Sequence, residues 1–294
     1  MKHIDTNIDL EYWKDEKKDV GIAVCSGGMD STSMGLAMLK EGRPVIFCHI
    51  NLAQKSETGE KEAVKKVVET LEKQGYDVGW FMVDVPWLGE IGGSSLTEEG
   101  LEIPKGMDSL SESFDIASNL DNPGLWTPAR NVVLLSVASA LADRIHATKI
   151  TLGANQSETA YRDNTMDFLK TFELMDRFGT LVMPEVDAPL FELDKAQLLK
   201  WGIENGFYEV FKHTWSCDEG KEHMCGECGC CNNRRLAFFI LNNVYGIPEK
   251  DNQIYVNPDY FEETFLPETI EKFISGMWYG KYLDTIEDYL EKKE

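Results

Sequence analysis

The run Ser26-Gly27-Gly28-Met29-Asp30-Ser31-Thr32-Ser33 directly follows the apolar segment Val20 to Cys25 and opens an amphipathic stretch. Gly27 and Gly28 leave backbone N–H groups free to approach an anion, and Ser26, Ser31 and Thr32 add hydroxyl donors. The helix expected next offers its N-terminus to negative charge. Such a loop suits the grip of pyrophosphate, and the chemistry it implies is ATP cleaved between its α- and β-phosphates. A Walker loop needs G-x-x-x-x-G-K-[S/T] and a dinucleotide fingerprint needs G-x-G-x-x-G; neither fits these residues. The plainer alternative is a tight turn followed by an N-cap.

A second group of reactive side chains lies far along the chain. Cys217, Cys225, Cys228 and Cys231 have the spacing C-x7-C-x2-C-x2-C, which can set four thiolates around one tetrahedral zinc ion. Four sulfurs close the shell and leave no place for an activated water, so the expected role is to hold a loop in shape. Four cysteines also suit an iron–sulfur cluster, with Cys230 or His223 as substitute ligands. Buried, unliganded thiols are the remaining alternative. Cys230 is expected to be a bystander.

These groups need a scaffold, and the hydrophobic pattern supplies one. Val20 to Cys25, Pro44 to Ile50 and Val78 to Val83 read as strands, separated by helical patterns over Asp30 to Leu39 and Glu60 to Lys73. The alternation continues with a helix over Val132 to Arg144, a strand over Lys149 to Leu152, and helices over Phe168 to Phe178 and Lys195 to Gly202. It predicts an α/β fold with a doubly wound, mainly parallel sheet and a ligand crevice at the strands' carboxyl ends, where the Ser26 loop sits. Between Asp84 and Pro128 the pattern fades into Gly, Ser, Asp and Pro, as expected of a binding loop or lid.

After Tyr245 the composition turns acidic and aromatic, with helices expected near Glu262 to Ser275 and Leu283 to Lys293. This tail reads as an appendage or oligomer contact, and its aromatics alternatively pack on their own domain. The expected divisions are an N-terminal extension (1–19), the α/β domain (20–212), a metal-binding segment (213–244) and a helical C-terminal extension (245–294).

With 29 basic and 51 acidic side chains among 294 residues, the net charge of -22 opposes broad attachment to nucleic acid or anionic lipid. No apolar stretch approaches membrane-spanning length, and Met1 to Val20 lacks an apolar signal core, so a cytoplasmic location is expected. In that compartment seven cysteines read as thiols or metal ligands.

The loop and the cysteine group together resemble the 7-cyano-7-deazaguanine synthase (QueC) family of ATP-pyrophosphatases, an adenine nucleotide alpha hydrolase-like, Rossmann-like fold. The resemblance runs from about Val20 to Phe239. It includes Trp87-Leu88-Gly89-Glu90-Ile91-Gly92-Gly93-Ser94-Ser95-Leu96-Thr97, Thr127-Pro128-Ala129-Arg130-Asn131, Gly153-Ala154-Asn155 and Thr214-Trp215-Ser216-Cys217. It implies a homodimer that activates the carboxylate of 7-carboxy-7-deazaguanine with ATP and Mg²⁺, joins it to ammonia, and dehydrates the amide to the nitrile after a second activation.

Carried onto this chain, the resemblance assigns Ser26, Gly27, Gly28, Asp30, Ser31 and Thr32 to pyrophosphate and Mg²⁺, with Gln54 and Lys55 as further ATP contacts. Arg130 and Lys195 would offset charge in the transition state, with surface ion pairs as the alternative. Gly92, Gly93, Arg130, Asn131, Tyr161 and Asp163 would hold the deazaguanine. Asp163 would accept from the base's N–H groups or else cap the following helix. Zn²⁺ would sit on the four cysteines, and Arg234 would touch phosphate or cap that cluster.

Three departures stand out. The family's Y-P-D-C-R-P-E-F reads Tyr161-Arg162-Asp163-Asn164-Thr165-Met166-Asp167-Phe168, so Thr165 stands where the family has Arg. The family's D-Y-G-Q-R-H reads Asn51-Leu52-Ala53-Gln54-Lys55-Ser56, which keeps the glutamine and exchanges Arg for Lys55. The tail extends beyond the usual family end. The changed pocket leaves open a reaction that stops at the amide, or one that joins the deazaguanine to another amine, even one on a protein, as in QueC-like enzymes of other pathways such as antiviral defence. Two further readings are a tRNA-modifying relative and a nucleotide-sensing protein on the same fold.

Overall fold

The computed structural model describes residues 3–14, 17–108, 124–156, 161–220, 222–273 and 277–293. Its six strands are β1 (Ile4–Thr6), β2 (Gly21–Val24), β3 (Val45–Asn51), β4 (Val78–Asp84), β5 (Lys149–Thr151) and β6 (Glu185–Asp187). They form one sheet in the order β1-β4-β3-β2-β5-β6. Among the pairings of these six described strands, only β1–β4 is antiparallel. Every residue of β2 and β3 is buried, as runs such as Val45-Ile46-Phe47 demand when both faces of a parallel sheet are covered.

The longer helices are α1 (Met29–Lys40), α2 (Glu57–Lys73), α3 (Arg130–Ile145), α4 (Met166–Gly179), α5 (Lys195–Glu204), α6 (Gly229–Asn243) and α7 (Leu283–Lys293). Helix α1 packs on β2 and β3, α2 on β3 and β4, and α3 on β2 and β5. Gly35 lets α1 lie flush on the sheet, since a Cβ there would come within 2.5 Å of the Phe47 ring. No described helix is long and apolar enough to cross a membrane.

The sheet is the α/β, mainly parallel one that the alternation predicts. The chain steps outward from β2 through β3 to β4, then returns to place β5 on the other side of β2. The switch point therefore lies between β2 and β5, and a crevice opens beyond their carboxyl ends. Residues 109–123 of the irregular stretch expected to form a lid lie outside those described.

The edge strand β1 and the three-residue β6 carry no alternation long enough to read from sequence. After Tyr245, Phe265 and Tyr279 are fully buried and belong to the same core as the sheet. Tyr282 donates to Asp194 Oδ2 at 3.1 Å, so the tail closes against the start of α5.

Candidate active site and metal centre

The phosphate-type loop occupies the switch point. Gly27 has φ of +80°, a left-handed conformation suited to glycine, and a Cβ there would come within 2.9 Å of Ala63 Cβ and Glu60 O. Gly28 precedes α1 with no side-chain cap. The first-turn N–H groups of α1 therefore keep their capacity for an anion, which favours the anion-loop geometry over a capped turn. Ser26 Oγ and Ser31 Oγ lie 3.1 Å apart beside Gly28. Gly153, beyond β5, closes the other wall: a Cβ on it would stand 2.9 Å from Ser31 N.

Asp30 lies in the first turn of α1 and Lys195 is the first residue of α5. Lys195 Nζ donates to Asp30 Oδ2 at 2.5 Å, with both side chains largely buried. Asp30 Oδ1 is buried with no hydrogen-bond partner. An orphaned carboxylate oxygen beside an N–H-lined loop suits a hard cation such as Mg²⁺.

A second cluster lies on the β5 side. Ala129, left-handed at φ 53°, ψ 24°, precedes α3, a conformation that costs a non-glycine residue about 1–3 kcal/mol and marks a position fixed by its surroundings. Next to it, Asn131 Nδ2 donates to the Asp163 carbonyl at 3.0 Å. Burial raises the Asp163 carboxyl above its ordinary range, and the nearby Arg130 charge offsets part of that rise. Thr165, not Asp163, caps α4, accepting from Phe168 N at 3.2 Å. Tyr161 lies parallel to Trp126, with ring centroids 6.3 Å apart and planes 6° from parallel.

The Gly92-Gly93 turn reaches this cluster through its neighbour Ser94, whose Oγ accepts from Thr127 Oγ1 at 3.1 Å. Both glycines are left-handed, and Gly93 N donates to Glu98 Oε2 at 3.1 Å. Gln54 and Lys55 are engaged within the protein: Gln54 Nε2 donates to Glu60 Oε2 at 2.7 Å, and Lys55 Nζ to the Leu101 carbonyl at 2.5 Å.

The sulfurs of Cys217, Cys225, Cys228 and Cys231 gather within 4.8 Å of one another, all four residues buried. Cys225 and Cys231 Sγ are 3.8 Å apart, about the edge of a tetrahedron with metal–sulfur bonds of ~2.3 Å. Backbone N–H groups point at the sulfurs: Cys225 N to Cys217 Sγ at 3.3 Å, Cys228 N to Cys225 Sγ at 3.2 Å, and Cys231 N to Cys228 Sγ at 3.4 Å. The donors thus fit a metal that takes thiolates. Cys230 is exposed and outside the cluster.

Residues between cluster and loop carry roles that residue types did not reveal. Trp215 N donates to the Gly27 carbonyl at 2.8 Å, and the Trp215 indole covers Gly59, where a Cβ would come within 2.3 Å of the ring. Burial pushes the Asp218 carboxyl up to about 6 beside Cys228 and Cys230. Arg234 is fully buried and bonds Asp251, Thr214 and Phe211, so it neither faces phosphate nor joins the sulfur shell. Trp126, within the irregular stretch from Asp84 to Pro128, carried no signal in its residue type that singled it out.

The family model described as "Queuosine biosynthesis protein QueC" matches residues 20–242, most of the chain, including the Ser26 loop, Asp30, Lys195 and the four cysteines. The chain belongs to the QueC family. It is 34% identical over 244 residues to "7-cyano-7-deazaguanine synthase 2" of Sulfurisphaera tokodaii, covering 81% of this chain and 50% of that protein. It is 32% identical over 241 residues to the 7-cyano-7-deazaguanine synthase of Methanocaldococcus jannaschii, covering 79% of this chain and 98% of that one. The chain thus spans about half the length of the Sulfurisphaera relative and nearly all of the Methanocaldococcus one. A solved structure, a predicted subunit of tRNA methyltransferase from Methanocaldococcus jannaschii, aligns with 64% of this chain and 75% of its own at 17% identity and a TM-score of 0.36.

Proposed function

We propose that this QueC family member adenylates the carboxylate of 7-carboxy-7-deazaguanine and couples the product to ammonia. The observation that carries the reading is the uncapped start of α1 at Gly28, set at the switch point beside the Asp30–Lys195 pair. The substrate carboxylate attacks the α-phosphorus of ATP, and pyrophosphate leaves in line. Gly27, Gly28 and the first-turn N–H groups of α1 receive the leaving charge, with Ser26 and Ser31 adding hydroxyl donors, whereas Thr32 is fully buried with its hydroxyl 3.6 Å from Cys25 Sγ and packs beneath the loop. Lys195 supplies a fixed cation, and Arg130 a second one at the acyl end.

Mg²⁺ bound beside Asp30 would neutralise phosphate oxygens. Ammonia then attacks the acyl carbon, AMP leaves, and the amide forms. The amide oxygen then attacks the α-phosphorus of a second ATP and releases pyrophosphate; loss of AMP and of both amide N–H protons yields the nitrile. Gly92, Gly93, Asn131, Tyr161 and Asp163 hold the base, the Asp163 carboxylate accepting from its N–H edge. Gln54 supports the ATP side through its bond to Glu60, and Lys55 through its bond to the Leu101 carbonyl. The four cysteines hold Zn²⁺ in a structural role, a reading supported by their close, tetrahedron-sized spacing.

The net charge of -22 disfavours a tRNA substrate. Thr165 in place of the family's Arg supports a second outcome, in which the acyl-adenylate passes to another amine or the reaction ends at the amide. Incubation with ATP, Mg²⁺, ammonium and 7-carboxy-7-deazaguanine, followed by mass analysis, separates nitrile, amide and conjugate. Absence of acid-dependent AMP and pyrophosphate with every amine supplied contradicts the proposal.

A further inference from the structure

Arg234 has no exposed surface, yet it carries a charge that most buried sites exclude. Its Nε bonds Asp251 Oδ1 and Oδ2, each at 3.0 Å. Its Nη1 donates to Thr214 Oγ1 at 2.7 Å and Nη2 to the Phe211 carbonyl at 3.1 Å. Thr214 Oγ1 itself donates to the Phe211 carbonyl at 2.8 Å. The guanidinium thus clamps the 211–214 turn from one side, and Asp251, beyond the last turn of α6, fixes the guanidinium.

The next residue of that turn meets the phosphate loop. Trp215 N donates to the Gly27 carbonyl at 2.8 Å. In a trans peptide the carbonyl of Gly27 and the N–H of Gly28 point in opposite directions. Fastening the carbonyl to Trp215 therefore turns the Gly28 N–H the other way, toward Ser26 Oγ at 3.4 Å and the hydroxyl group it shares with Ser31. At Gly27, a left-handed glycine with no Cβ to restrict its backbone, the opposite peptide orientation is one that glycine torsions allow, and it would aim a carbonyl at the anion.

We infer that Arg234 is a positioning residue for the phosphate loop: through Asp251 and Thr214 it fixes the Trp215 N–H, which locks the Gly27–Gly28 peptide with its donor facing the pyrophosphate. The inference rests on the phosphate-loop reading above and adds to it a support that begins in the C-terminal part of the chain. It separates loop affinity from base recognition, because Arg130, Asp163 and Tyr161 share none of these bonds.

The test is calorimetric titration of Mg²⁺-pyrophosphate and of ATP into the purified full chain and its variants, with metal content and circular dichroism as checks on folding. Thr214→Val removes the hydroxyl that both Arg234 and Phe211 use; it is expected to weaken pyrophosphate binding about threefold to tenfold and to raise KM for ATP by a similar factor. KM for the deazaguanine acid stays within about twofold. Thr214→Ser, which keeps the hydroxyl, restores wild-type affinity. Asp251→Asn has the larger effect where it folds; where it does not, the Thr214 pair decides. Folded Thr214→Val binding pyrophosphate as tightly as wild type overturns the inference alone. A wild-type chain that binds neither ATP nor pyrophosphate overturns the phosphate-loop reading and the inference with it.

Discussion

Lys195 Nζ stands 2.5 Å from Asp30 Oδ2, joining the first residue of α5 to the first turn of α1 across the switch point. A cation at the first position of a helix opposes the macrodipole, so local helix energetics do not account for a lysine at that place. Its ion pair with Asp30 does, and under the proposed function the charge of a bound phosphate adds to it. The pairing also leaves Asp30 Oδ1 buried and open to a cation.

Replacing Lys195 by Ala is expected to lower kcat about a hundredfold, the scale of one lost donor to developing charge, while circular dichroism stays unchanged. Asp30→Asn should lose turnover as deeply and flatten the dependence of rate on Mg²⁺ concentration. Wild-type rates in both variants would remove this pair from the chemistry.

Gly153 tests the closeness of the crevice walls. An added Cβ would lie 2.9 Å from Ser31 N and 3.0 Å from Ser31 Cβ, so Gly153→Ala must push β5's loop away from α1. The expected result is a rise in KM for ATP of about tenfold with a fall in Tm of a few degrees. An unchanged KM would mean that the loop tolerates a wider crevice.

Asp163 links pH to base recognition. Because burial raises its native carboxyl above 3.8, the folded chain holds that proton more tightly than the unfolded one, so its contribution to stability falls as pH rises from 3.8 through the raised native value. Under the proposed function the ionised form is the acceptor for the base. KM for the deazaguanine acid should therefore climb on acidification at a pH above the usual aspartate range. Asp163→Asn should remove that limb, raise KM at neutral pH about tenfold, and gain stability relative to wild type at pH 7 more than at pH 4. Parallel pH profiles for the two proteins would exclude Asp163 from base binding.

The cysteine cluster makes a prediction about composition. Elemental analysis is expected to find one zinc per chain, lost together with solubility in Cys228→Ser and retained in Cys230→Ser. Iron with acid-labile sulfide in freshly purified protein would replace zinc in the account.

Much of this was legible in the sequence because it is local. The apolar runs of β2 and β3, the Ser26 to Ser33 loop and the close spacing of Cys225, Cys228 and Cys231 each lie within a few residues of their partners. The Trp215–Gly27 and Arg234–Asp251 contacts were not legible, since they join backbone or buried charge across distant segments whose residue types are ordinary. Nor does an aromatic composition distinguish a protruding tail from one that buries Phe265 and Tyr279 in the common core.

Carboxylate adenylation is tested most directly by supplying 7-carboxy-7-deazaguanine labelled with oxygen-18 in its carboxyl group and weighing the AMP formed in the presence of ammonium. Transfer of one labelled oxygen to AMP, with unlabelled pyrophosphate, is the expected result. Unlabelled AMP, or label appearing in inorganic phosphate beside ADP, would contradict it.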